Sequence, residues 1–132
     1  MLRLRMIALL VFAVLLNACT QIPPPNALAP AEAKAFGSLA TLVGTTWKST
    51  GDDGDVSQWS ADLGGRVLVS RHALADGSYG GITYIYRNAK SGNIDYVYAT
   101  SAGFHTSGTF VLNPDGSWTS EEAVTGHASI TR

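Results

Sequence analysis

The chain has 132 residues, 45% of them hydrophobic and 14% charged, with a formal net charge of -1, 14 glycines and one cysteine. That length holds one domain, and the low charge content excludes a disordered polyelectrolyte. No Lys/Arg block is present to neutralise a run of phosphates, so nucleic acid is not an expected partner, and a single cysteine excludes disulfide frameworks and cysteine-rich zinc clusters.

Arg3 and Arg5 precede an apolar run from Ile7 to Leu16. About ten residues is the length of the hydrophobic stretch of a secretion signal and is too short to span a bilayer. Directly after it stands Leu16-Asn17-Ala18-Cys19. This resembles the lipobox of bacterial lipoproteins, with Leu three before the cut, a small residue at the cut and Cys as the first mature residue. The resemblance implies that residues 1–18 are a signal peptide, that Cys19 carries a diacylglyceryl thioether, and that the new amino terminus is acylated, for instance by palmitate. Two acyl signals anchor a protein stably, since each buried methylene contributes about 0.8 kcal/mol. In such lipoproteins the inner-membrane retention signal resembles Asp at the next position, where this chain has Thr20. The resemblance therefore implies the outer membrane, with the domain facing the periplasm.

Residues 19–29 read as the lipidated cysteine and a tether, because Pro23-Pro24-Pro25 cannot be helical and makes a stiff spacer. The domain is expected over residues 30–132. Pro30 suits a first helical position, Phe36, Leu39, Ala40 and Val43 follow at helical spacing, and Gly44 is a natural stop. One short helix is therefore predicted, with Gly37 inside it at a cost of about 1 kcal/mol relative to Ala.

From Thr46 onward the pattern changes to short runs of Val, Ile, Thr and aromatics between glycine turns. Eight strands are predicted: Thr46 to Thr50, Val56 to Leu63, Arg66 to Leu74, Gly81 to Asn88, Ile94 to Ser101, Phe104 to Leu112, Ser117 to Val124 and His127 to Arg132. Their links are hairpin-sized, so an all-β, antiparallel up-and-down meander is expected. Four links read as a type I turn followed by a left-handed Gly, which pairs Leu74 with Ser78, Ala89 with Asn93, Thr100 with Phe104 and Asn113 with Ser117. That register puts Trp59, Leu63, Leu68, Leu74, Ile82, Tyr84, Tyr86, Tyr96, Tyr98, Phe104, Phe110, Leu112, Trp118 and Val124 on one face. The opposite face receives Arg71, Thr83, Arg87, Asp95, His105, Ser107, Thr109 and Glu121.

Leu42-Val43-Gly44-Thr45-Thr46-Trp47, Leu63-Gly64-Gly65-Arg66 and Tyr98-Ala99-Thr100-Ser101-Ala102-Gly103 together resemble the calycin superfamily, closest to its small lipocalin-like domains of the DUF1579 type, over roughly Leu39 to Thr131. Its Gly44-Thr45-Thr46-Trp47 is one residue longer than the Gly-x-Trp of true lipocalins. The resemblance implies closure of the meander into an eight-stranded barrel, which would also remove the sheet edges that invite aggregation.

In a meander the loops alternate between two ends, and the helix is expected to plug one of them. His72, Tyr98, Thr106, Glu122, His127 and Ser129 are placed inside near the free rim, with Tyr84, Tyr96, Phe110 and Trp118 deeper. An aromatic floor with a few convergent polar groups is the composition of a small-molecule pocket. His72, Tyr84, Tyr96, Tyr98, Thr106, Trp118, Glu122 and His127 are thus the expected ligand-binding residues, and their ring surface favours lipids, fatty acids or flat aromatic compounds. Two other readings stay open. The interior can be filled by its own side chains, leaving a protein that acts through its surface, or His72 and His127 can hold a haem iron. No serine sits in a nucleophile elbow and the one cysteine is assigned to lipid, so no catalytic residue and no cofactor are expected.

Overall fold

A computed structural model describes residues 28–52 and 54–125. Cys19, most of the tether, and the predicted eighth strand with His127 and Ser129 lie outside the described residues.

Helix α1, Pro30–Phe36, begins at Pro30 and is followed by a 3-10 turn over Gly37–Leu42. The expected single helix is broken at Gly37, which adopts φ 56 and ψ -133. Glycine alone takes that conformation without steric cost, and a Cβ at this position would lie 2.7 Å from Leu112 Cδ1. The break lets Phe36 and Leu39 turn into the same core, where both are fully buried.

Seven strands follow: β1 Thr46–Lys48, β2 Val56–Asp62, β3 Val67–Ala73, β4 Gly80–Arg87, β5 Ile94–Thr100, β6 His105–Leu112 and β7 Trp118–Thr125. Each pairs antiparallel with its neighbours in sequence, giving one sheet in the order β1 to β7. The meander is as expected, but among the described residues it has seven strands rather than eight and does not close, with β1 and β7 as its edges.

Residues directly opposite in a ladder share a face, so the pairings read across the sheet define its two sides. One row runs Ala61, Leu68, Ile85, Tyr96, Gly108, Glu122, and the next runs Trp59, Ser70, Thr83, Tyr98, Thr106. This inner face packs with Phe36, Leu39 and Ile94 into the core. Arg71, Asp95, His105, Ser107, Thr109 and Glu121 fall on the other face, as expected.

Strand β4 corrects the predicted register. Ile82, Tyr84 and Tyr86 were expected inside and Thr83 outside, whereas Thr83 and Ile85 point inward, Ile85 is 0% exposed and Tyr84 is 42% exposed on the outer face. The cause is the β3–β4 loop, which closes with the Leu74 N–H donating to the Tyr79 carbonyl at 2.9 Å instead of pairing Leu74 with Ser78. One extra residue turns every side chain of the next strand over. The β4–β5 loop slips too, since the Asn88 N–H rather than that of Ala89 bonds the Asn93 carbonyl at 2.9 Å. The second slip reverses the first, so Tyr96 and Tyr98 of β5 return to the inner face. The last two loops close as predicted, Thr100 with Phe104 and Asn113 with Ser117. Leu63 is the other departure: it sits in a 3-10 turn, Leu63–Gly65, with φ 48, and is 67% exposed.

The helical segment covers one end of the sheet. Leu28 and Glu32 stand over Gly65 in the β2–β3 link, Arg87 at the end of β4 donates from Nη1 to the Ala35 carbonyl at 3.4 Å, and Gly37 abuts Leu112 at the end of β6. The opposite end, with the β3–β4 and β5–β6 loops, is left for the polar groups described below. Among the described residues no helix is long and apolar enough to cross a membrane.

Because β4 presents Ile85 inward, Ile85→Ala should cost about 2–5 kcal/mol of stability, while Tyr84→Ala should cost no more than about 1 kcal/mol. Urea denaturation of the two variants measures the difference, and the opposite ranking would restore the predicted register.

Candidate functional site

Two glycines shape the inner face. Gly81 leaves room for the ring of Tyr98, whose Cζ lies 2.8 Å from where a Cβ would stand, and Gly108 does the same for Tyr96, with its Oη at 2.8 Å and its Cε1 at 2.9 Å. Any larger residue at either place forces the ring away. The two tyrosines therefore lie along the sheet instead of standing off it.

Tyr96 packs on Phe110 with ring centroids 4.7 Å apart, and Phe110 meets Trp118 edge-on at 5.0 Å and 86°. Such offset and edge-to-face pairs are the arrangements that the ring quadrupoles favour. They form the apolar half of a groove that is also lined by Asp55, His72, Thr83, Tyr98, Thr106, Ser120 and Glu122, with a cavity volume of about 380 Å³. Trp118, near the edge of the sheet, is 41% exposed and presents part of its indole to the opening.

The polar half is a chain of hydrogen bonds. His72 Nδ1 lies 3.0 Å from Asp55 Oδ1, His72 Nε2 lies 2.5 Å from the Tyr98 hydroxyl, and the Tyr98 and Tyr79 hydroxyls are 3.0 Å apart. The carboxylate can only accept, so His72 Nδ1–H donates to it. A protonated imidazole then donates from Nε2 to Tyr98, which donates onward to Tyr79. A neutral imidazole accepts instead from Tyr98, which in turn accepts from Tyr79. One proton on His72 thus sets the direction of the two bonds beyond it. The rings of Tyr79 and Tyr98 also brace the imidazole, with centroids 5.9 and 5.5 Å from it.

Burial pushes the Tyr98 hydroxyl far above the usual tyrosine range, and the Tyr79 hydrogen bond and the negative charges of Asp55 and Glu122 add to the effect. Tyr96 is raised as well, first by burial, with Ser120 opposing through a hydrogen bond and Glu122 adding its charge. Both remain neutral hydroxyls under physiological conditions. Thr106 is 3% exposed, and its Oγ1 has no hydrogen-bond partner among the described residues. An unpaired buried hydroxyl costs about 1–3 kcal/mol.

Of the residues singled out from sequence, His72, Tyr96, Tyr98, Thr106, Trp118 and Glu122 come together in this groove. Tyr84 does not: it lines a hollow on the outer face with Arg71, Ile82 and Ala99. His127 lies outside the described residues. Asp55, Tyr79, Thr83 and Ser120 were missed. In sequence Asp55 falls in the link before the second predicted strand, whereas extending the β2 alternation back from Ser57, which pairs with His72, puts it on the inner face diagonally across from His72. Tyr79 and Thr83 were lost to the slipped β4 register. As for metal, both ring nitrogens of His72 are engaged, so ligation would have to displace Asp55 or Tyr98. The described residues contain no group of three His, Cys, Asp or Glu placed to hold an ion.

A raised tyrosine pKa in the folded state gives stability that is fully present below the unfolded value and is lost as pH climbs through the folded one. Stability should therefore fall above about pH 10, where unfolded tyrosines ionise, and Tyr98→Phe should reduce that fall. Urea denaturation of both proteins at pH 9 and pH 11 checks the sign, and an equal loss in both would show that Tyr98 is not held protonated by the fold. Comparison with known protein families, with curated proteins and with solved structures finds no match for the chain.

Proposed function

We propose that this chain is a lipid-anchored lipoprotein of the bacterial outer membrane, facing the periplasm, whose inner sheet face binds a small hydrophobic or amphipathic molecule without catalysing a reaction. The observation that carries the binding reading is the groove itself. It joins an aromatic wall of Tyr96, Phe110 and Trp118 to a polar end built on His72 and Tyr98, and it is large enough, at about 380 Å³, for a small organic molecule. Pockets of this size and mixed lining are where small ligands bind. The half-exposed indole of Trp118 gains most from being covered, at about 25 cal/mol per Å² of apolar area removed from water.

The anchoring part rests on Leu16-Asn17-Ala18-Cys19 and the basic and apolar residues before it. The calycin-like barrel is the finer structural reading. A meander of strands that pair only with their sequence neighbours, with a helical plug at one end, supports it, and its closure would fall to residues after Thr125.

For the anchor, Cys19→Ala should leave the domain folded and abolish both palmitate labelling and membrane association in cell fractionation. Unchanged association of the variant, with no lipid on the parent protein, would overturn the lipoprotein reading. For the ligand, native mass spectrometry of the chain purified from its own cell envelope should show an added mass that solvent extraction removes and that Trp118→Ala lowers severalfold. No added mass in either protein would favour a groove that works empty, with the protein acting through its surface.

A further inference from the structure

The charges around the groove narrow the ligand further. Among the described residues its lining contains two carboxylates, Asp55 and Glu122, and neither lysine nor arginine. Asp55 is held by His72 at 3.0 Å, which leaves Glu122 as the carboxylate facing the aromatic half. Glu122 stands opposite Gly108, over which the Tyr96 ring lies, and on the same face of β7 as Trp118 and Ser120. Arg87, the one arginine that shares the inner-face register on β4, is at the helix-covered end and donates to the carbonyls of Ala35 and Gly92 instead.

From this juxtaposition we infer that the groove selects a cationic head group, an organic ammonium, seated between the Glu122 carboxylate and the rings of Trp118, Phe110 and Tyr96. The inference rests on the groove being a ligand site. An ammonium over an aromatic face is attracted by the ring quadrupole, most strongly by an indole, and a nearby carboxylate adds its Coulomb attraction. The T-shaped Phe110–Trp118 pair supplies two ring planes nearly at right angles, the beginning of a cage around a compact cation. A fatty-acid carboxylate, by contrast, would enter as a third negative charge with no lysine or arginine among the described lining residues to meet it.

The test uses three probes that share one ring and differ in charge: benzyltrimethylammonium, benzyl alcohol and phenylacetate. The full chain is held in zwitterionic lipid nanodiscs, with empty nanodiscs as the blank, and titration is followed by the indole N–H resonance of Trp118. Benzyltrimethylammonium should bind at least about fivefold more tightly than benzyl alcohol, and phenylacetate should bind weakest. Glu122 is exposed, so Glu122→Gln should fold normally and remove most of the preference for the ammonium over benzyl alcohol. If phenylacetate binds as tightly as the ammonium, or if Glu122→Gln leaves the ranking intact, the head-group inference is wrong while the groove stands as a binding site. If none of the three gives a saturable shift, the binding reading fails with it.

Discussion

The inner face depends on two rings lying flat on two glycines. In an antiparallel sheet, side chains normally stand away from the backbone, and a row of standing tyrosines would fill the space above it. Gly81 and Gly108 remove the side chains that would hold Tyr98 and Tyr96 upright, so each ring folds down across its neighbouring strand. Everything at the site follows from these two placements. Tyr98 is brought within hydrogen-bond reach of His72 on the far side of β4, and Tyr96 is turned to pack on Phe110 and so to support Trp118. The same glycines weaken the sheet, since each gives up strand propensity and costs more chain entropy. The stacked rings offset part of that loss through buried area.

The two ends of the inner face have divided their tasks. At one end Phe36 and Leu39, turned inward by the break at Gly37, close over Leu68, Ile85 and Ile94 to form the fully apolar core. At the other, no helix covers the sheet, and the polar chain from Asp55 through His72 and Tyr98 to Tyr79 takes the place of apolar packing. Each hydroxyl and ring nitrogen in that chain has a partner, so it tolerates partial burial. The orphan Thr106 Oγ1 lies next to it in the sheet, paired in register with Tyr98. The groove spans the two, from the polar chain at the uncovered end to Phe110 and Trp118 beside the helix-covered end, and it is the basis of the function proposed above.

Much of this was legible in the sequence because the turns are strong signals. The glycines at 103 and 116 end loops that close as turn chemistry dictates, and they set the register of β5, β6 and β7 and so the inward positions of Tyr96, Tyr98, Thr106, Trp118 and Glu122. The loop between β3 and β4 is one residue longer than its glycine suggests, and no side-chain bond accounts for it: Asp76 accepts from the backbone N–H and the hydroxyl of Ser78, but Asp115 accepts the same two bonds from Ser117 in the β6–β7 loop, which keeps the three-residue closure. In the next loop Asn88 Oδ1 accepts from the Lys90 and Ser91 N–H groups, a local competition with the simple turn that is not visible in hydrophobic patterning. Tyr84 falls on the outer face because of the extra residue between β3 and β4. Asp55 was missed on different grounds, because an acidic residue after Gly54 reads as a turn until its cross-strand partner is known. Neither the break at Gly37 nor the exposure of Leu63 is carried by apolar spacing, since both are set by backbone conformations at positive φ.

The placement of Tyr98 on Gly81 and of Tyr96 on Gly108 is the claim on which the site stands, and proton chemical shifts of the glycine Hα atoms measure it directly. Protons held against an aromatic face are moved well upfield by the ring current. Gly81 and Gly108 should show strongly upfield Hα resonances, with nuclear Overhauser contacts to the rings of Tyr98 and Tyr96, respectively. Ordinary glycine shifts at both positions, with Tyr84 rather than Tyr98 in contact with His72, would contradict it.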